Sequence, residues 1–149
     1  MDLSRTALAA TLHCLTGCAI GEVLGMVIST WLGFSDAASI AISILLAFVF
    51  GYGLTLLPLV RASLPFRRAA RLAFASDTLS IATMEIVDNA FVALVPGALA
   101  AGLTDGLFWW SLGVSLVIAF AAAFPVNRWL IARGKGHAVV HAHHGHHAA

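Results

Sequence analysis

Charge is what this chain has least of. Of its 149 residues only 10% are Asp, Glu, Lys or Arg, 60% are hydrophobic, and the mean hydropathy is +0.95. A typical soluble globular domain is about 25% charged, so that class is excluded and the chain reads as an integral membrane protein. A net charge of +1 says nothing about nucleic acid, but the eight Lys and Arg residues are too few and too close to the membrane segments to form a binding face for it. Cysteine is nearly as scarce. Cys14 and Cys18 stand one helical turn apart in one apolar segment, a spacing that suits a shared ligand better than a disulfide, so both are read as free thiols. The sequence also lacks a Ser/His/Asp nucleophile arrangement, a His-Glu-x-x-His string and a phosphate-binding glycine loop, and it is read as a non-enzyme.

What the chain does have is long apolar runs. Four follow one another, at about Ala7 to Trp31, Ala37 to Val60, Leu72 to Ala101 and Leu107 to Ile131, each long enough to cross about 30 Å of hydrocarbon. The predicted fold is therefore all-α, with four transmembrane helices. The first run is long enough to span and offers no evident cleavage point, so it is taken as a helix and not as a signal peptide. Basic residues lie before the first run (Arg5), in the second connector (Arg61, Arg67, Arg68, Arg71) and at or just past the end of the fourth run (Arg128, Arg133, Lys135). The positive-inside rule then puts both termini and the second connector in the cytoplasm. Trp31, Trp109 and Trp110 fall at the outer interface and Trp129 at the inner one, as an aromatic belt requires. Residues 1–133 form the membrane domain on this account, and 134–149 a disordered tail.

A weak internal repeat runs through the chain. Gly33-Phe34-Ser35-Asp36 is echoed by Gly102-Leu103-Thr104-Asp105, and Cys18-Ala19-Ile20-Gly21-Glu22-Val23 aligns with Ile81-Ala82-Thr83-Met84-Glu85-Ile86. Two parallel-repeat hairpins would make Glu22 and Glu85 counterparts at one depth, at the kind of interface where transporters keep their sites. A chance match between short strings in an Ala/Gly/Leu-rich chain is the alternative.

Carboxylates at that depth need a use, because a charge at the bilayer centre costs about 2.5 to 3.5 kcal/mol on insertion scales. At 100° per residue, Cys14, Gly17, Cys18, Gly21, Glu22, Gly25, Met26 and Ser29 share one side of the first helix, and Asp77, Ser80, Ile81, Met84, Glu85 and Asp88 one side of the third, with Asn89 at its edge. Gly17, Gly21 and Gly25 follow the small-xxx-small pattern of close helix contact. Thiol, thioether and carboxylate groups converging there suit a transition metal such as Cu or Zn. The expected midplane site is Cys14, Cys18, Glu22, Met84, Glu85 and Asp88, with His13, Asp77 and Asn89 nearby. Other readings stay open: cysteines that only pack, acids that pair in packing or relay protons, a His13 that only reaches the interface, and an Asp77 that caps the third helix.

After Arg133 the chain carries His137, His141, His143, His144, His146 and His147 among Ala and Gly. Clustered imidazoles on a flexible tail bind Cu²⁺, Ni²⁺ or Zn²⁺ with little geometric selection. A purification tag is the alternative, although the run is interrupted.

Several strings resemble one family: Leu12-His13-Cys14-Leu15-Thr16-Gly17-Cys18-Ala19-Ile20-Gly21-Glu22, then Asp77-Thr78-Leu79-Ser80-Ile81, Met84-Glu85-Ile86-Val87-Asp88-Asn89, Pro96-Gly97-Ala98, and Pro125-Val126-Asn127 through Gly134-Lys135-Gly136-His137. They are similar to small bacterial membrane proteins known as domain of unknown function 4396. The resemblance implies a four-helix inner-membrane domain with a histidine-bearing end, and no activity. The expected function is transition-metal binding or transport. A proton or cation carrier using Glu22, Glu85 and Asp88 is one alternative, and an accessory subunit of a membrane complex is another. Since four helices enclose little volume, a homo-oligomer is expected, in contact with the lipid bilayer.

Overall fold

A computed structural model describes residues 2–133. Four helices account for nearly all of them: α1 (Leu3–Leu32), α2 (Asp36–Arg61), α3 (Phe66–Leu94) and α4 (Gly106–Ala132). Local chemistry sets most of the ends. Asp2 caps α1, its carboxylate accepting from the Ser4 amide, and Gly33 stops the helix in the left-handed region at φ 69°. Ser35 caps α2 by accepting from the Ala38 amide. Pro58 and Pro125 sit inside α2 and α4, which run on to Arg61 and Ala132.

The third run departs from expectation at both ends. α3 begins at Phe66, a turn and a half before Leu72, and stops at Leu94 instead of Ala101. Pro96 forces the residue before it out of the helical region, and Val95 is extended at φ −84°, ψ 117°. Gly97 then turns the chain at φ 80°. Residues 95–105 become a folded connector whose Ala98 and Ala101 are buried, held by the Gly102 amide donating to Asp105 Oδ2 (2.8 Å) and the Trp109 indole donating to Leu103 O (2.8 Å). The early start also removes the cap reading of Asp77, which lies well inside α3 and is fully buried.

The helices pack in a ring, α1 on α2, α2 on α3, α3 on α4 and α4 on α1, while α1 and α3 meet more lightly across the diagonal. Gly17, Gly21 and Gly25 are used up within the chain, against α2. A methyl group at Gly17 would stand 2.7 Å from Gly51 Cα, one at Gly21 would overlap the Ala47 backbone, and one at Gly25 would overlap Ser43. This close approach draws α1 and α2 together and brings α3 within reach. The central hydrophobic core is correspondingly thin, with Cys14, Cys18, Ala47, Ala119 and Ala123 packed around the larger Ile81 and Met84.

Outward the bundle is apolar, with Leu45, Ile86 and Val117 each more than 60% exposed. α1, α2 and α4 are long and apolar enough to cross a membrane. α3 is as long, but carries Arg67, Arg68, Arg71, Asp77, Glu85 and Asp88. Its acids face inward beside Ile81 and Met84, while Phe74, Leu79 and Ile86 face outward, so ionisable groups sit on the inner face instead of on the exposed one as in a soluble bundle.

Candidate functional site

Polar and sulfur-bearing side chains run along the α1/α3 diagonal in three tiers. Nearest the start of α1, His13 Nε2 lies 2.9 Å from Thr55 Oγ1 on α2. Thr55 is also within hydrogen-bonding reach of the Asp77 carboxyl, which accepts from Ser76 Oγ at 2.7 Å. Beside them, Asn127 of α4 donates to Thr11 Oγ1 (3.0 Å) on α1 and Ser80 Oγ (2.9 Å) on α3, all three residues buried. This junction joins three helices through one amide. Neither Asn127 nor Thr11 was a candidate from sequence, although Asn127 belongs to the Pro125-Val126-Asn127 string. A buried amide in an apolar helix was the signal that could have found it.

The middle tier holds the sulfur. Cys18 donates its thiol to the Met84 thioether at 4.0 Å, and its sulfur is also within hydrogen-bonding reach of the Glu85 carboxyl. Both sulfur residues are at most 1% exposed, and Cys14 and Cys18 are free thiols. Asn89 steadies Glu85 from the next turn, donating to its carbonyl (2.8 Å) and, more distantly, to Oε2 (3.4 Å). Cys14 is one turn away, beside Ser80 and Asp77.

At the far tier, toward Gly33, the carboxyl groups of Glu22 and Asp88 face each other at hydrogen-bonding range, with Glu85 close enough to act on Glu22 electrostatically. Glu22 is 8% exposed, Asp88 4% and Ser29 2%. Both oxygens of Glu22, Oδ1 of Asp88, Oε1 of Glu85 and Oγ of Ser29 have no hydrogen-bond partner. Above Glu22 and Asp88 opens a cavity of about 360 Å³, walled by the ends of α1 and α3, the starts of α2 and α4 and the connector residues Ala98 to Gly102.

The structure thus brings Glu22 and Glu85 into mutual range from helices that run in the same direction. It divides the six expected midplane residues between a sulfur tier and a carboxyl tier. His13 and Asp77 meet at Thr55, next to Cys14 and away from the facing carboxyls of Glu22 and Asp88. Among the described residues, no three of the His, Cys, Asp and Glu side chains stand in an arrangement that could hold a metal ion; Cys18 and Met84 bring two soft sulfur donors together beside the hard carboxyl of Glu85. The tail histidines His137 to His147 lie outside the described residues.

A helical bundle with an apolar exterior and an acid- and sulfur-lined diagonal is a membrane protein that keeps its ionisable groups inside. The chain belongs to the family described as Domain of unknown function (DUF4396), which it matches over residues 4–136. No curated protein matches it, nor does any solved structure.

Proposed function

We propose that this protein binds a soft transition-metal ion within the membrane and conducts it across a bacterial inner membrane, with both termini cytoplasmic. Cys18 and Met84 are the primary ligands, Glu85 the third, and Cys14 lies on the route toward the cytoplasm. The tail histidines, His137 through His147, collect the ion on the cytoplasmic side. Glu22 and Asp88 line its passage to the outer cavity. α3 is the fourth span, its acids shielded by the other three helices, and two or more copies assemble around the path.

One observation carries the proposal: the 4.0 Å between Cys18 Sγ and Met84 Sδ beside the Glu85 carboxyl. Two sulfurs each about 2.3 Å from one tetrahedral ion stand about 3.8 Å apart, so an ion needs only a small adjustment of this pair. A thiol and a thioether together favour Cu(I) over harder ions. The test is titration of the tail-deleted protein with Cu(I) and Zn²⁺ beside Cys18→Ser and Met84→Leu variants. Saturable binding near one equivalent that either variant weakens supports the assignment, and binding unchanged in both overturns it.

A second reading draws on the unpartnered oxygens of Glu22, Glu85 and Asp88. Two facing carboxyls in a dry setting are held together by a shared proton or a cation, so a carrier of protons or hard cations would use the acids and leave the sulfurs to pack. Liposome flux that survives loss of both thiols and stops with Glu85→Gln favours this reading.

A further inference from the structure

We infer that the cavity at the Gly33 end is a binding site for a primary ammonium group carried on a small apolar body. The inference stands apart from the sulfur tier and does not need a metal there. The cavity, at about 360 Å³, has the size of sites that enclose small organic molecules, about 300 to 1,000 Å³, and is far larger than a bare ion needs. Its walls are mostly apolar, with Met26, Phe34 and Phe108 among them; Glu22 and Asp88 face each other at one end, and Ser29, Asp36, Ser39 and Ser43 line it elsewhere.

At that end the protein leaves acceptors without donors. Both Glu22 oxygens and Asp88 Oδ1 are unpartnered, on side chains more than nine-tenths buried, and so is Ser29 Oγ two turns further along α1. Buried polar atoms of this kind are costly unless something satisfies them. An ammonium head supplies three N–H donors and one positive charge, which matches clustered acceptors on facing carboxyls. The rings of Phe34 and Phe108 suit an apolar body, and a ring face also attracts a cation. A quaternary ammonium has no N–H to give and should bind less well.

The same head group reaches this place from two sources, a free amine or the ethanolamine head of a membrane lipid. Thermal unfolding of the full chain in nanodiscs separates them, with n-butylammonium and phenethylammonium as probes. In discs of phosphatidylcholine alone, either probe should raise Tm saturably, by about 4 °C or more at concentrations well above Kd, and tetramethylammonium should not. If discs containing phosphatidylethanolamine raise Tm by themselves and leave the amines without effect, the lipid is the source. If the amines act equally in both discs, it is the free amine. Glu22→Gln and Asp88→Asn should each reduce the response. Should either variant fail to fold, Ser39→Phe fills the cavity from the α2 wall with both carboxyls intact, and it should abolish the response. No shift with any amine or ethanolamine lipid would overturn the site, as would a saturable shift confined to Mn²⁺ or another inorganic cation. Cys18→Ser, which disables the proposed metal site, should leave the amine response unchanged.

Discussion

The two ends of the α1/α3 diagonal treat buried polar atoms in opposite ways. Toward the chain's start, Asn127 is bonded to Thr11 and Ser80, His13 to Thr55, and Ser76 to Asp77. Toward Gly33, Glu22, Asp88 and Ser29 keep oxygens with no partner beside an open cavity. Satisfied groups in an apolar medium join helices and fix their register. Unsatisfied ones cost stability, and they persist where a ligand completes them. The first end is therefore read as scaffold and the second as site, with the sulfur pair between them.

The comparison can be broken by substitution. The largest effect belongs to the scaffold on which both ends depend: Gly21→Leu drives a side chain into the Ala47 backbone and should cost about 3 kcal/mol or more. The loss shows as an absent monodisperse peak in detergent chromatography. Next, Cys18→Ser should weaken Cu(I) binding by at least about tenfold, since even groups outside the ligand shell matter on that scale. Its Tm should stay close to that of the parent protein, and a large drop would mark Cys18 as packing alone.

Asn127→Leu should destabilise the fold by about 1 to 2 kcal/mol, because it leaves two buried hydroxyls without their donor. Denaturant unfolding in mixed micelles checks this, with metal and amine binding by the folded fraction unchanged. Glu22→Gln should do the reverse: stability rises or holds within about 1 kcal/mol, since an unpartnered carboxyl is removed, and cation binding at that end falls. If Asn127→Leu removed binding and Glu22→Gln unfolded the protein, the assignment of scaffold and site would be the wrong way round. The smallest effect is expected from Gly53→Ala, where an added methyl meets no atom within 4 Å. It should stabilise α2 by at most about 1 kcal/mol, read as a small rise in Tm.

Much of the site was legible before any coordinates. The 100° arithmetic put Cys18 and Glu22 on one face and Met84, Glu85 and Asp88 on another, and those faces do meet. The glycine stripe was recognisable as a contact, but whether it met another helix of this chain or another copy depended on Ala47, Gly51 and Ser43, which no spacing in α1 reveals. Asp77 looked like a helix start because Ser76-Asp77 has cap chemistry. The helix starts earlier because the Pro65 turn supplies the break, so Asp77 rides on the buried face.

Composition and periodicity alone determined that this is an all-helical membrane protein whose third helix turns its acids inward, since charge cannot face lipid and a helix repeats every 3.6 residues. Tertiary structure decided what one-dimensional spacing does not contain: that Asn127 links three helices, that the sulfur and carboxyl groups divide into two tiers, and that residues 95–105 fold over the bundle's end to wall a cavity above Glu22 and Asp88. These outcomes depend on the distance between helices, which the contacts of Gly17, Gly21 and Gly25 set.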